Sequence, residues 1–315
     1  MRLSRCVVGR AILCLSCVLL VGLGSPCEAQ APTVPPDPAG QQQPPHQDAP
    51  APEPHPDLKP LVEVIRTRLH KRKYEEALQQ ASALLQRATE KGDAVGQAYA
   101  QRFRARALQE LNRLQEALLA WERAEQLWRE IGDGALVVEA MLGQAFCVWR
   151  ANEAGSRRLV EQALELARAE QRRPLTLARI LGNAGADWYN ARVLGFAQQC
   201  WEQALVIFER LTPGSPETAD TLNNLGIVAG DQGNVALARR YFEQALALHK
   251  HLAPNSLEVA NTLNNLGVVA HRWGDLNLAQ RYFEQALAIK VRLVPNSLTV
   301  ASTLNNLGGV AFYRG

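Results

Sequence analysis

The sequence predicts an all-α protein built as a solenoid of antiparallel helix pairs. The motif Thr-Leu-Asn-Asn-Leu-Gly occurs at residues 221–226, 262–267 and 303–308, and its copies are 41 residues apart. The motif Glu-Gln-Ala-Leu follows the same period from Glu161 to Glu284. Self-similarity at a period of 20–50 residues indicates stacked repeats. Apolar residues make up 47% of the chain and aromatic residues only 6%, which favours close-packed helices.

Each repeat contains two helical patterns. Apolar residues three or four apart mark a first helix at Leu222 and Leu225 and a second helix at Leu237 and Tyr241. Gly233 lies between the two patterns and can adopt the left-handed conformation that ends a helix. On this basis we expect a solenoid over residues 58–315, with a half unit that begins at residue 298. The six full units lie near residues 58–93, 95–133, 135–171, 174–213, 216–254 and 257–295.

Glycines interrupt the first helix at equivalent positions. They are Gly226, Gly267 and Gly308. Glycine inside a helix costs about 1 kcal/mol relative to alanine, so a packing gain must offset it. We expect the second helix of the same unit to approach the glycine at Ala238 or Ala279. Phe242 and Phe283 are then expected to fill the space between neighbouring units.

The repeat resembles a known family. Leu-x-x-Leu-Gly on the first helix, with Ala238, Phe242 and Ala245 on the second, resembles the tetratricopeptide repeat. The 41-residue form with Leu-Asn-Asn-Leu-Gly and Pro-Asn-Ser-Leu is similar to the kinesin-light-chain-like subclass, and to bacterial arrays that precede a caspase-like "CHAT" domain. The resemblance is specific over residues 174–315 and weaker over 58–173. It implies a right-handed superhelical α-solenoid whose first helices line a concave groove.

The final half unit lacks a second helix to cover its apolar side chains. Solenoids normally end in a polar cap. We therefore expect the chain to be the front part of a longer protein, and we note self-association through this half unit as a possibility. If a caspase-like domain follows, the array would be the sensing arm of a protease.

The N-terminus has the order of a secretory signal. Residues 1–29 carry three arginines, then an apolar run over residues 11–24, then Cys27-Glu-Ala29. The apolar run is too short to span a bilayer, so no integral membrane segment is expected after cleavage behind Ala29. A lipoprotein signal at Cys27 is the alternative, and Pro26 directly before it disfavours that reading. We expect an exported protein in the periplasm or the extracellular space.

The next segment is expected to be a disordered linker. Ten of the residues between 30 and 57 are proline, and a run of three glutamines, residues 41–43, lies among them. Proline-rich segments of this kind are extended spacers that cannot form a helix interior.

No motif for catalysis is present. The sequence lacks a phosphate-binding Gly-x-x-x-x-Gly-Lys loop and a Gly-x-Ser-x-Gly nucleophile turn, so we expect no enzyme activity. No Cys and His spacing suits a metal, and no cofactor is expected. The formal net charge of +3 gives no concentrated basic face for nucleic acid. A protein or peptide ligand is the partner that remains.

The expected binding face lies on the first helices of the later units. It comprises Asn223, Ile227 and Asp231 in one unit, Asn264, Val268, His271 and Arg272 in the next, Asn305 in the half unit, and Tyr189 and Asn190 in the preceding unit. The family resemblance implies that Asn223, Asn264 and Asn305 bond to the main chain of an extended ligand. A lateral ladder between units is the alternative for these side chains.

The second asparagine of each motif points about 100° away around the helix. We expect Asn224 and Asn265 to tie a unit to a neighbouring helix or loop. One satisfied hydrogen bond contributes about 1 kcal/mol, which offsets the low helix propensity of asparagine.

Overall fold

The computed structural model describes residues 48–314, and most of this part of the chain is helical. Residues 48–55 are not helical. They are followed by one 3-10 turn, Pro56–Leu58, and thirteen α-helices, and no strand lies within the described range. The helices are α1 (Lys59–His70), α2 (Tyr74–Glu90), α3 (Ala94–Glu110), α4 (Leu114–Ile131), α5 (Gly134–Val148), α6 (Glu153–Ala169), α7 (Pro174–Asn190), α8 (Leu194–Leu211), α9 (Pro216–Asp231), α10 (Val235–Leu252), α11 (Leu257–Arg272), α12 (Leu276–Leu293) and α13 (Leu298–Arg314).

Consecutive helices pack as pairs, and the pairs stack on one another. The odd-numbered helices are the first helices of the units and the even-numbered helices are the second. Three-residue turns join most pairs, which reverses the chain direction within a unit. The junction between the third and fourth units departs from the regular stacking, because α7 packs directly on α5. The predicted all-α solenoid of helix pairs is confirmed.

A left-handed residue ends the first helix in the later units. Gly233 has φ +82° and Gly274 has φ +84°, in the turns before α10 and α12. A residue with a Cβ is strained at such a φ, whereas glycine is not. The sequence-based prediction of a stop at Gly233 is therefore confirmed.

The glycines inside the first helices accept an aromatic ring. A Cβ on Gly226 would lie 2.6 Å from the ring of Phe242, and a Cβ on Gly267 would lie 2.5 Å from the ring of Phe283. The expected approach by Ala238 and Ala279 is wrong, because their short side chains leave the space in front of the glycine to the phenylalanine one turn later.

The same two rings also reach the following unit. Phe242 packs in a cluster with Leu266 and Val269 of α11, and Phe283 packs with Val310 of α13. The expected filling of the space between units is therefore present, in addition to the contact with glycine. Gly308 differs from its equivalents, since nothing lies within 4 Å of a Cβ built there.

Residues 48–57, which we call the N-terminal strap, lie against the helices. The hydroxyl of Tyr99 donates to the main-chain oxygen of Pro52 at 3.2 Å, and the Asp48 carboxylate accepts from the first turn of α7. The prediction of a disordered linker is therefore wrong for these ten residues, because their polar groups find partners on distant parts of the chain. The predicted signal peptide and residues 30–47 lie outside the described residues.

Candidate functional site

The first helices of the first four units line one cleft. Side chains from α1, α3, α5 and α7 surround a volume of about 290 Å³, and Trp121 of α4 closes one side. The cleft is open to solvent and spans four consecutive units. Concave surfaces of this size, made by several elements at once, are the usual location of ligand sites.

The floor of the cleft is apolar. Phe103, Leu142, Ile180 and Trp188 are buried and contribute their edges to the lining. Phe146 is half-buried, and its ring centroid lies 5.2 Å from that of Trp188. These rings hold one another in place, so the floor offers a rigid apolar surface to a ligand.

Two arginines of α3 carry the charge at the rim. Arg102 donates to both carboxylate oxygens of Glu139, at 2.6 and 3.0 Å. Arg106 donates to both carboxylate oxygens of Asp187, at 2.5 and 3.1 Å. Burial alone would lower the pKa of Arg106, but the carboxylates of Asp187, Glu110 and Glu139 together outweigh it and raise that pKa above its usual range. Both arginines are therefore charged and fixed in position.

The paired arginines keep hydrogen-bonding capacity for a ligand. A guanidinium has five N–H donors, and a two-point contact with a carboxylate uses two of them. Asn183 of α7 also faces the cleft, is exposed, and makes no side-chain hydrogen bond within residues 48–314. The rim can therefore donate to main-chain oxygens, while the floor accepts apolar side chains.

A second hollow continues the cleft toward the ends of α3, α5 and α7. It has a volume of about 330 Å³ and shares Phe146 and Asp187 with the cleft. Trp149, Arg150 and Asn190 also line it. Asn190 is thus the one residue of the sequence-predicted face that borders this groove.

The first asparagine of one repeat motif and the second asparagine of the next form a lateral ladder. The side-chain nitrogen of Asn265 donates to the side-chain oxygen of Asn223 at 3.1 Å. Asn306 donates to Asn264 in the same way, also at 3.1 Å. The alternative of a ladder between units is therefore present, and the ligand role of Asn223 and Asn264 stays a prediction.

Asn224 departs from this pattern. Its equivalents Asn265 and Asn306 reach the first asparagine of the preceding unit, but the preceding unit has Gly182 at that position. Within residues 48–314 the Asn224 side chain has no hydrogen-bond partner. The expected structural bond of Asn224 is therefore wrong, because the acceptor side chain is missing.

Two further pairs from the predicted face bridge neighbouring units. The hydroxyl of Tyr189 donates to the carboxylate of Asp231 at 2.8 Å. The guanidinium of Arg272 donates to the main-chain oxygen of Gly230 at 2.6 Å. Each pair joins residues 42 positions apart, so these side chains link one first helix to the next.

The remaining residues of that face have mixed surroundings. The His271 ring lies edge-on to the Tyr313 ring, with centroids 5.1 Å apart. Ile227 and Val268 are half-buried and pack against apolar clusters between units. Asn305 is exposed. None of these residues lines the cleft of the first four units.

Sequence reasoning did not find the rim of the cleft. Apart from Asp187, its charged residues lie in units that share little sequence with the later repeats, so the 41-residue period does not highlight them. Arg102 and Arg106 are four residues apart and therefore share one face of α3. That spacing, next to Phe103, is the signal that was available.

The two cysteines in the described range are unpaired. Cys200 is buried and Cys147 is half-buried. Burial raises the pKa of each thiol to about 12, so both stay protonated at neutral pH. Within residues 48–314, no group of three or more His, Cys, Asp or Glu side chains could hold a metal.

None of the helices described between residues 48 and 314 has both the length and the apolar character needed to cross a lipid bilayer.

Comparison with protein families identifies the repeat. Residues 176–251, 217–292 and 258–315 each match the tetratricopeptide repeat model. A search of curated proteins gave no significant match.

Solved structures of similar fold are repeat proteins. BtubC (BKLC) from P. vanneervenii has 21% identity and a TM-score of 0.55, over 70% of this chain and 92% of its own. A putative kinesin light chain from Podosopora anserina, with nearly identical TPR-like repeats, has 16% identity and a TM-score of 0.50, over 77% and 99%. A signal transduction ATPase with a tetratricopeptide repeat sensor, from Pyrococcus horikoshii, has 14% identity and a TM-score of 0.59, over 81% and 38%.

Proposed function

Since this chain is a tetratricopeptide repeat protein, we propose that it is an interaction scaffold whose cleft binds a segment of a partner protein. The observation that carries this proposal is the cleft shared by α1, α3, α5 and α7, with its apolar floor and fixed arginines. Proteins of this repeat family bind protein or peptide partners.

An extended segment suits the cleft better than a small molecule. The lining comes from four consecutive first helices, so it forms a path along the array and not a closed pocket. Arg102, Arg106 and Asn183 have N–H groups free to donate to main-chain oxygens. Apolar side chains of the segment would pack on Phe103 and Trp188. We infer a peptide with several apolar side chains as the ligand.

Export is part of the proposal. Residues 1–29 have the basic start, apolar middle and small-residue cleavage site of a secretory signal. The partner is then a periplasmic or extracellular protein. Fusion of residues 1–57 to a reporter that is active only outside the cytoplasm tests this, and a reporter that stays inactive would overturn it.

The alternative function is a sensing arm for a caspase-like protease, in line with the resemblance of the repeat to arrays that precede such domains. It uses the same cleft and adds a catalytic His and Cys encoded after Gly315. Reading the coding sequence beyond that residue distinguishes the two functions.

A displayed random peptide library supplies a probe for the cleft. Peptides enriched on the purified protein are tested for binding to two variants. Asn183→Trp places a large ring in the cleft at an exposed position, and Arg123→Trp places the same ring on the exposed face of α4. We expect Asn183→Trp to weaken binding by about tenfold or more and Arg123→Trp to leave it unchanged. Failure to enrich any peptide, or equal binding by both variants, would contradict the proposal.

A further inference from the structure

The N-terminal strap supplies a helix cap to α7 from far away in the chain. The Asp48 carboxylate accepts from the main-chain nitrogens of Leu175 and Thr176, at 2.8 and 2.7 Å, and from the Thr176 hydroxyl at 2.6 Å. The main-chain nitrogen of Ala49 donates to the main-chain oxygen of Arg172 at 2.7 Å. Asp48 and Leu175 are 127 residues apart in sequence.

The first helix α7 lacks a cap of its own. The first helices of the two units before it and of the two units after it are capped by the side chain of the residue that precedes them. These capping residues are Asp93 for α3, Asp133 for α5, Ser215 for α9 and Ser256 for α11. The residue before α7 is Arg173, which makes no such bond, and Pro174 follows it. The first N–H groups of a helix have no partner within the helix, and Asp48 satisfies two of them.

The strap then runs back toward the first unit. The Tyr99 hydroxyl donates to the main-chain oxygen of Pro52, and the main-chain nitrogen of His55 donates to the Asp93 carboxylate at 2.8 Å. The hydrogen bonds therefore reach the N-terminal ends of first helices in two units, at α7 and at α3. This edge is separate from the cleft, because no strap residue lines the cleft.

The strap is held by hydrogen bonds more than by buried side chains. Pro54 is the buried residue of the segment between Asp48 and Asp57, and most of its neighbours are exposed. Its prolines favour an extended backbone before binding, which reduces the entropy lost on docking. A segment bound in this way can detach without unfolding the helices beneath it.

We propose that this edge is a second peptide-binding surface, which recognises extended segments of the form Asp-x-Pro-x-Pro, and that the strap occupies it in the free chain. Recognition comes from the aspartate on the α7 amides and from a proline carbonyl on Tyr99. A partner that presents the same motif exchanges with the strap. This surface is separate from the cleft, and its tests do not depend on which peptide binds in the cleft.

Amide hydrogen exchange tests whether the strap occupies this edge in the free chain. In the full chain we expect the amides of Leu175 and Thr176 to be protected. Asp48→Ala should speed their exchange by about tenfold or more, because it removes the only acceptor that these two amides have within residues 48–314. Glu53→Ala removes the same charge from an exposed position of the strap and should leave these amides unchanged. Unchanged exchange in Asp48→Ala would overturn the proposal.

A labelled synthetic peptide of residues 46–57 tests the surface in trans. A tethered strap competes at an effective concentration of about millimolar, so we expect wild-type protein to bind the peptide about tenfold more weakly than Asp48→Ala does. A peptide with alanine in place of Asp48 should not bind. Lack of binding to Asp48→Ala, or equal binding of the two peptides, would contradict the proposal.

A second variant tests the contact with Tyr99 through a change that is too small to unfold the protein. Tyr99→Phe removes one hydroxyl from the edge and keeps the ring that packs against Trp128. Added peptide should bind the double variant Asp48→Ala, Tyr99→Phe more weakly than it binds Asp48→Ala. Circular dichroism confirms that each variant is helical before the measurement. Equal affinity for both would remove Tyr99 from the proposed recognition.

Discussion

The side-chain nitrogen of Asn265 donates to the side-chain oxygen of Asn223, 3.1 Å away in the preceding unit. The same bond joins Asn306 to Asn264 one unit later. The paired asparagines of the repeat motif are thus first a device that links units. Their low helix propensity is offset by one hydrogen bond for each pair.

The ladder predicts coupling between its two members. Alanine at Asn223 and at Asn265, made singly and together, should give a coupling energy of about 1 kcal/mol in urea unfolding. Asn224→Ala is the matched control, since Asn224 makes no side-chain bond within the described residues, and it should not destabilise the protein. Additive effects of the two ladder substitutions would contradict a bond that contributes to stability.

Alanine in place of glycine is expected to have opposite effects on stability at the equivalent positions 226 and 308. Gly226→Ala places a Cβ 2.6 Å from the Phe242 ring, and overpacking of this kind destabilises by about 1–3 kcal/mol. Gly308→Ala meets open space and should raise the free energy of unfolding by up to about 1 kcal/mol, because alanine is the better helix former. Thermal melts of both variants check this. Equal shifts in Tm would show that the Phe242 ring does not prevent a side chain at position 226.

The ion pair between Arg106 and Asp187 is not part of the asparagine ladder, and we expect that breaking it lowers the stability of the protein. Asp187→Asn removes the charge that compensates a partly buried guanidinium, and we expect a loss of about 1–2 kcal/mol. Glu153→Gln breaks the exposed pair with Arg157 and should have no measurable effect. Denaturant unfolding of both variants gives the comparison. A loss as small as that of Glu153→Gln would mean that the cleft rim is not held by this pair.

His249 predicts a dependence of stability on pH. Burial lowers the pKa of His249, and the nearby carboxylates of Asp220 and Glu258 offset only part of this. The folded state therefore binds fewer protons than the unfolded state, whose histidine pKa is about 6.5. The contribution of His249 to the free energy of unfolding is then fully present above about pH 6.5, and it is lost as the pH drops below that value.

The substitution His249→Phe tests this source of the slope. Phe208, 41 residues earlier, is buried at the equivalent position of the preceding unit, so the site accepts a ring without a charge. Urea unfolding between about pH 8 and pH 5 should lose more stability in the wild type than in this variant. Parallel curves for the two proteins would assign the slope to other groups.

The sequence predicted the fold well because the later units repeat almost identically. A shared period placed Gly233 and Gly274 at the turns, and the helices begin and end beside them. The cleft was not predicted because Arg102 and Arg106 lie in a divergent unit, where no copy of the repeat marks them. Asp187 lies in a unit that follows the period, but the later units have Val228 and Val269 at its position, so the period does not mark a charge there. The cap that Asp48 provides to α7 was not predicted for another reason. Composition gives no information about a contact between residues that are 127 positions apart in sequence.

Hydrogen exchange of the full chain, with and without a peptide selected from the displayed library, tests the central claim most directly. Binding in the cleft predicts slower exchange in α3, α5 and α7, around Arg102, Arg106 and Asn183. Slower exchange confined to α9, α11 and α13, along the face of Asn223 and Asn264, would contradict it and return the binding site to the asparagine face.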